Sequence, residues 1–104
     1  MRAVDLAIYA DTLAGEHASL AARAEQARSR LREAGIEGEA RAELGADVVE
    51  QLQELGILGG IDDRTARSEL RRLTRALAAL EELQMWVEGR LAAEREESSY
   101  VSAA

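Results

Sequence analysis

The chain has 104 residues, no proline and a formal net charge of −7. It also has no cysteine, which excludes disulfide bonds and cysteine-ligated metals. The negative charge also disfavours a general attraction to nucleic acid or to anionic membranes. Alanine, leucine, glutamate and arginine dominate a length that suits one domain, and this composition predicts an all-α fold.

The first predicted helix covers residues 2–34, and Gly35 is expected to end it. Its small and apolar residues recur at alternating intervals of three and four, which is the spacing of a helix seam. The members of this seam are Ala3, Leu6, Ala10, Leu13, His17, Leu20, Ala24, Ala27, Leu31 and Ala34. A second stripe lies on the opposite side and consists of Val4, Ile8, Gly15, Ala18 and Ala22, with Asp11 among them. We therefore expect this helix to have neighbours on two sides.

A shorter helix is predicted over residues 38–55, with glycines on both sides and with a break near Gly45 as an alternative. Asp47 and Glu50 resemble a capping box. At the other end, Gly56 is suited to the left-handed conformation that closes a helix, and Ile57 is expected to pack back on that helix.

The third predicted helix covers residues 62–97 and carries the largest block of bulky apolar residues. Its seam consists of Leu70, Leu73, Leu77, Leu80, Val87 and Leu91, with Gln84 as the polar member. Asp62 or Asp63 is expected to cap its start, and Ile61 to pack on Ala66. A helix of that length spans roughly 50 Å, so we expect an elongated bundle formed by residues 1–97, followed by a flexible tail over 98–104.

Charge favours one arrangement of the two long helices. The first is acidic early and basic late, whereas the third is basic early and acidic late. An antiparallel hairpin would bring like charges together, so we favour an up-down-up bundle in which the two long helices run parallel. The simple antiparallel hairpin is the alternative.

The middle helix is too short to cover both long helices, so apolar residues are expected to stay exposed at two ends of the bundle. Exposed apolar patches of this kind mark interfaces. The candidates are Leu6, Ile8, Tyr9, Leu13, Leu83, Trp86, Val87 and Leu91. We therefore predict a homodimer that completes the bundle, with a monomeric hairpin as the alternative and another protein as a further partner.

His17 is the single histidine, and its neighbours one turn away are apolar or alanine, so no metal site is predicted around it. We expect His17 and Gln84 to be buried polar members of the seam, with His17 bonded to Gln84 or to a glutamate of another helix. No catalytic or cofactor-binding constellation stands out in the sequence.

Four arginines recur along the start of the third helix: Arg64, Arg67, Arg71 and Arg75. Like charges one turn apart destabilise a helix by roughly 0.2–0.5 kcal/mol per pair, so a partner should offset them. The acidic middle helix is the expected partner; an anion or a nucleic-acid backbone is the alternative.

These observations favour a non-enzymatic structural or protein-interaction module. Anion or nucleic-acid binding by the four arginines is the second hypothesis, and a helical enzyme with its active site at a dimer interface is the third. No window approaches the roughly 18 apolar residues of a membrane span, and the N-terminal residues lack the pattern of a secretion signal. The expected location is cytoplasmic.

Overall fold

The computed structural model describes residues 3–59 and 63–103, and from residue 98 onward it describes the backbone only. Within these ranges the chain forms three helices and no strand: α1 (Ala3–Glu43), α2 (Ala46–Glu54) and α3 (Asp63–Ala103). The prediction of an all-α fold is confirmed.

Helix α1 continues well beyond the predicted end at Gly35. It passes through Gly35 and Gly38 without a positive φ at either residue, and positive φ among the described glycines occurs at Gly56 and Gly59. Glycine inside a helix costs about 1 kcal/mol relative to alanine, which neighbouring good helix formers such as Arg32 can offset. The predicted helix end at Gly35 was therefore wrong, because nothing in the backbone requires the left-handed conformation there.

The break occurs at Gly45, the alternative that the sequence left open. Gly45 is extended (φ −66°, ψ 151°) and is the N-cap of α2, which has nine residues. Asp47 lies inside the first turn of α2 rather than at the cap, and no side chain caps this end. The predicted capping box was wrong, since the residue at the N-cap has no side chain to donate or accept.

Helix α2 closes as the sequence predicts, with Gly56 in the left-handed region (φ 74°). The amide of Gly56 donates to the carbonyl of Gln53 (3.0 Å), and the amide of Ile57 donates to the carbonyl of Leu52 (2.9 Å). This pair of hydrogen bonds defines a Schellman motif. The expected packing of Ile57 is not found, because Ile57 is exposed and the next residue, Leu58, is buried instead.

Helix α3 begins at Asp63 and extends past the predicted end at Glu97. Asp63 forms an ion pair with Arg67 across one turn (3.1 Å). The proposed cap at Asp62 and the proposed contact of Ile61 lie outside the described residues. In the predicted tail, residues 98–103 are helical, and Ala104 lies outside the described part.

The chain divides into two compact units, and both long helices contribute to each. Unit 1 comprises Met1–Ala21 and Arg75–Ala104, and unit 2 comprises Ala22–Thr74. The core of unit 1 consists of the buried residues Leu6, Leu13 and Val87, with Ala10, Leu80, Leu83 and Leu91 partly buried against them.

The core of unit 2 relies on small side chains. Its buried residues are Ala24, Ala27, Leu58, Ala66 and Leu73. Alanine removes bulk and lets helices approach closely. The two predicted seams of the long helices are confirmed, since every member of both is buried or half-buried.

Within each unit the α1 and α3 segments run antiparallel. In unit 1, Leu13 lies in one core cluster with Val87, and one turn later His17 contacts Glu81. The residue number therefore rises on α1 while it falls on α3.

The same direction holds in unit 2. Arg30 contacts Glu69 at 3.4 Å, and further along α1 the guanidinium of Arg41 lies within 3.9 Å of the position that a Cβ on Gly59 would occupy. The parallel course favoured for an up-down-up bundle is not found in either unit. Exposed charges contribute at most about 1 kcal/mol per pair, which is too little to impose the parallel direction.

Candidate interaction surface

The eight interface candidates separate into two groups. Leu6, Leu13 and Val87 are buried, and Leu83 and Leu91 are half-buried against them. These five residues therefore form the core of unit 1, because α1 and α3 cover each other there. The expectation that these positions stay uncovered was wrong, since it assumed that a short middle helix had to cover them.

The other three candidates, Ile8, Tyr9 and Trp86, are exposed. Ile8 exposes 61% of its surface although it is a large aliphatic residue. These three positions remain interface candidates, and the structure adds neighbours to them on both helices.

On α1, the exposed residues next to Ile8 continue the second stripe of the sequence. Val4 is more exposed than Ile8, and Gly15 and Ala18 are exposed further along the same face. An added Cβ at Gly15 would meet nothing within 4 Å, so this face lies open to solvent. The spacing from Val4 through Ile8, Gly15 and Ala18 follows the alternation of three and four residues, with Asp11 at the intermediate position.

On α3, Met85 and Trp86 are exposed on the side opposite the seam. Met85 exposes 71% of its surface and Trp86 53%. Gly89 and Ala93 follow on the same face, both exposed, and a Cβ at Gly89 would also meet nothing within 4 Å. Unit 1 therefore carries two open apolar stripes, one on each long helix; we call them the α1 outer stripe and the α3 outer stripe.

The interface candidates predicted from the sequence did not include Val4 or Met85. The signal was present, because Val4 belongs to the stripe opposite the α1 seam and Met85 lies between the seam residues Gln84 and Val87 without belonging to the seam. Helical geometry places both residues about half a turn away from the core.

The two polar residues predicted for the seams, His17 and Gln84, are not buried. His17 Nε2 lies 3.1 Å from Glu81 Oε1, with the two side chains 34% and 60% exposed. No polar or charged residue is buried in the described part of the chain, so the prediction that His17 and Gln84 are buried was wrong. The partner of His17 is nevertheless a glutamate on another helix, which is one of the two partners that the sequence suggested.

Gln84 is half-buried and faces a small cavity in unit 1. The cavity has a volume of about 110 Å³. It is lined by Ala10, Leu13, Ala14, Gln84, Val87 and Glu88. Ala10 and Ala14 on α1 leave this space, because their side chains are too short to fill the gap between the helices beside the larger Leu13.

The four predicted anion-binding arginines are all exposed, and they do not act as one group. Arg67 is engaged with Asp63. Arg64, Arg71 and Arg75 have no ion pair within 4.0 Å among the described residues. The acids of α2 do not pair with them either, so the expected offset by the middle helix is not found.

A groove on α3 is lined by Arg64 and by Arg72, an arginine outside the predicted set. It has a volume of about 420 Å³ and is lined by Arg64, Thr65, Ser68, Glu69 and Arg72. Glu69 is held by Arg30 at 3.4 Å. Arg72, which was not among the predicted anion-binding residues, thus shares a groove with Arg64, whereas Arg67, Arg71 and Arg75 do not line it.

Helix α2 adds further exposed apolar surface to unit 2. None of its own residues is buried, and Val48 on this helix is exposed. Leu44 and Leu55, which flank the helix in sequence, are exposed as well. Val49 and Leu52 are half-buried and attach α2 to the rest of the unit.

The described ranges contain no group of three histidine, cysteine or acidic residues arranged to hold a metal ion. None of the helices in those ranges has both the length and the apolar character needed to cross a membrane.

These features define an all-α protein built on two helices of 41 residues each, with open apolar stripes on the outer faces of both. Comparisons of the chain with protein-family models, with curated proteins and with solved structures find no match.

Proposed function

We propose that this protein is a non-enzymatic interaction module that works as a helical homo-oligomer, most simply a homodimer. The observation that supports the proposal is the pair of outer stripes in unit 1. Both lie opposite a core seam, and both expose large apolar residues, namely Ile8 on α1 and Trp86 on α3.

The spacing of the α1 outer stripe supports a helical partner. Residues that recur every three and four positions form a continuous seam along a helix, which a second helix can follow as in a coiled coil. Gly15 and Ala18 allow the backbones to come close, and Val4 and Ile8 supply the apolar area. Small and large residues in one stripe favour a packed helix over a loosely bound chain.

A second copy supplies a helix with matching properties, because the α3 outer stripe, like the α1 outer stripe, combines large apolar residues with small ones. Isologous contacts of this kind are the commonest form of self-association. We further propose that the oligomer acts in the cytoplasm, which microscopy of a fluorescently tagged chain would test. If a different protein binds these stripes, the same substitutions test that binding.

Charge gives this proposal a specific salt dependence. The residue ranges of unit 1 hold four arginines and nine acidic residues, a net charge of −5. Bringing two such surfaces together is opposed by repulsion that salt screens. We expect association to be equal or stronger at about 0.5 M salt than at about 0.1 M, the opposite of an interface held by charge pairs.

Sedimentation equilibrium over a concentration series tests the proposal. The wild-type chain should form a dimer in the range of tens of micromolar, about 6–7 kcal/mol of association free energy. Ile8→Glu and Trp86→Glu should each weaken association by at least about tenfold, since each places a charge in an apolar contact. Leu55→Glu is the matched control for Ile8→Glu, because Leu55 is the same size as Ile8 and is also exposed but lies outside both stripes.

The single tryptophan gives an independent readout. Trp86 is half exposed in one chain, so its fluorescence should shift to longer wavelength when a dimer is diluted and the indole regains water. A wild-type chain that stays monomeric at hundreds of micromolar would refute the proposal. So would a Leu55→Glu variant that loses association as strongly as Ile8→Glu does.

A further inference from the structure

The groove on α3 between Arg64 and Arg72 combines groups that recognise phosphate. We propose that it binds a diphosphate group, either as free pyrophosphate or as part of a nucleoside diphosphate. This inference does not depend on the proposed self-association, because the groove lies in unit 2 and the outer stripes lie in unit 1.

The spacing along α3 lets two arginines reach one ligand that carries two phosphoryl groups. Arg64, Ser68 and Arg72 recur every four residues, so they share one face of the helix. Arg64 and Arg72 are about 12 Å apart along the helix axis at 1.5 Å per residue, and Ser68 lies midway. Two long side chains that reach inward from the ends can each bind one phosphoryl group, with the Ser68 hydroxyl donating between them.

The local charge favours an anion. Arg64 and Arg72 line the groove, and neither has an ion-pair partner within 4.0 Å among the described residues. Glu69 is the one acidic residue in the lining, and Arg30 holds its carboxylate at 3.4 Å. Three guanidinium groups therefore stand against one carboxylate at this place.

The wider charge of unit 2 favours a small ligand over a long polyanion. The range 22–74 holds nine arginines and eleven acidic residues, a net charge of −2. A nucleic-acid strand would extend beyond the groove into this net-negative surface, where repulsion opposes the gain from counterion release. A diphosphate stays within the groove, whose volume is about 420 Å³.

Isothermal titration calorimetry of the full chain with sodium pyrophosphate, and separately with adenosine diphosphate, tests the proposal at low salt. Pyrophosphate should bind saturably with a dissociation constant of about 1 mM or tighter. Arg64→Gln and Arg72→Gln should each weaken binding by about fivefold or more. This loss is smaller than the loss of a buried charged hydrogen bond would be, because the groove is open to water.

Arg71→Gln is the matched control. Arg71 is exposed on the same helix and carries the same charge, but it does not line the groove. Its substitution should change the affinity by about twofold, less than either groove arginine, because Arg71 adds charge near the groove but does not line it. Far-UV circular dichroism of each variant confirms that the helices are retained.

The two titrations distinguish the sources of the ligand. Binding of pyrophosphate alone assigns the groove to the free anion, and similar binding of both assigns it to a diphosphate carried by a larger molecule. No saturable binding of pyrophosphate up to about 10 mM, where even very weak sites fill, would overturn the proposal. An equal loss in Arg71→Gln, or binding of adenosine diphosphate without pyrophosphate, would also overturn it.

Discussion

Replacement of Leu6 by alanine tests the packing of unit 1 most directly. Leu6 exposes 1% of its surface and belongs to the core cluster with Leu13 and Val87. The substitution removes three buried carbon atoms, which is about 2.4 kcal/mol of transfer free energy at 0.8 per carbon. The cavity left behind adds to this loss, so we expect the free energy of unfolding to fall by about 3 kcal/mol.

Ile8→Ala is a control that removes the same number of carbons two residues away on the same helix. Ile8 exposes 61% of its surface, so only about 1 kcal/mol of transfer free energy is lost. Alanine is the better helix former by about 0.4 kcal/mol, which leaves a net loss of about 0.5 kcal/mol. The two substitutions should therefore differ about sixfold in their effect on stability.

Urea denaturation followed by circular dichroism at 222 nm measures both losses. The midpoint should fall strongly for Leu6→Ala and slightly for Ile8→Ala, with an unchanged dependence on denaturant. Each variant is measured at two protein concentrations, since self-association would add a concentration-dependent part to the Ile8→Ala loss. A Leu6→Ala loss below about 1 kcal/mol would show that the predicted seam does not face a packed core.

Three further substitutions follow from the geometry. Gly56→Ala should lower the free energy of unfolding by about 1 kcal/mol, because the φ of Gly56 is 74°. Gly35→Ala should raise it by about 0.5–1 kcal/mol, because Gly35 lies inside a helix and an added Cβ has open space there. Thermal denaturation of both variants checks that the two effects have opposite signs. Ala10→Leu should raise stability by about 1 kcal/mol by filling the cavity of about 110 Å³, and a lower unfolding midpoint would show that the cavity is too narrow for the added atoms. The pair of His17 and Glu81 is partly solvated, so a double-mutant cycle to alanine should give a coupling energy of no more than about 0.5 kcal/mol; a coupling above about 1.5 kcal/mol would contradict the open geometry.

The two seams were predictable because burial of leucine and alanine at helical spacing is a local property of the sequence. Every seam position from Ala3 to Ala34 on α1 and from Leu70 to Leu91 on α3 is buried or half-buried, as predicted. A residue on the seam faces the neighbouring helix whichever direction that helix runs. Periodicity therefore identifies the buried face without the topology.

The helix boundary was less predictable, because Gly35 and Gly45 look alike in the sequence. Both follow a run of good helix formers, yet α1 passes through the first and ends before the second. Glycine permits a break without requiring one, so the two glycines could not be told apart from the sequence.

Direction and site depend on contacts between segments distant in sequence. The charge pattern favoured parallel long helices, but exposed ion pairs such as Arg30 with Glu69 are too weak to fix the direction of a helix pair. The groove shared by Arg64 and Arg72 was hidden for a related reason. Four-residue spacing occurs at many positions of a helix, and only the surrounding surface shows which of them line a common depression.

The alanine-lined core of unit 2 has a consequence for its tolerance of mutation. At Ala24, Ala27 and Ala66 the buried side chain is a single methyl group. Every residue that one base change can reach from an alanine codon is larger than alanine, except glycine. Random substitution at these positions therefore adds atoms where none fit, and it destabilises the folded chain by about 1–3 kcal/mol. Leucine positions such as Leu6 in unit 1 instead accept replacements of similar volume, such as methionine or isoleucine, at a loss below about 1.5 kcal/mol. Sequences that keep this fold should therefore vary in their leucines while their buried alanines stay nearly fixed.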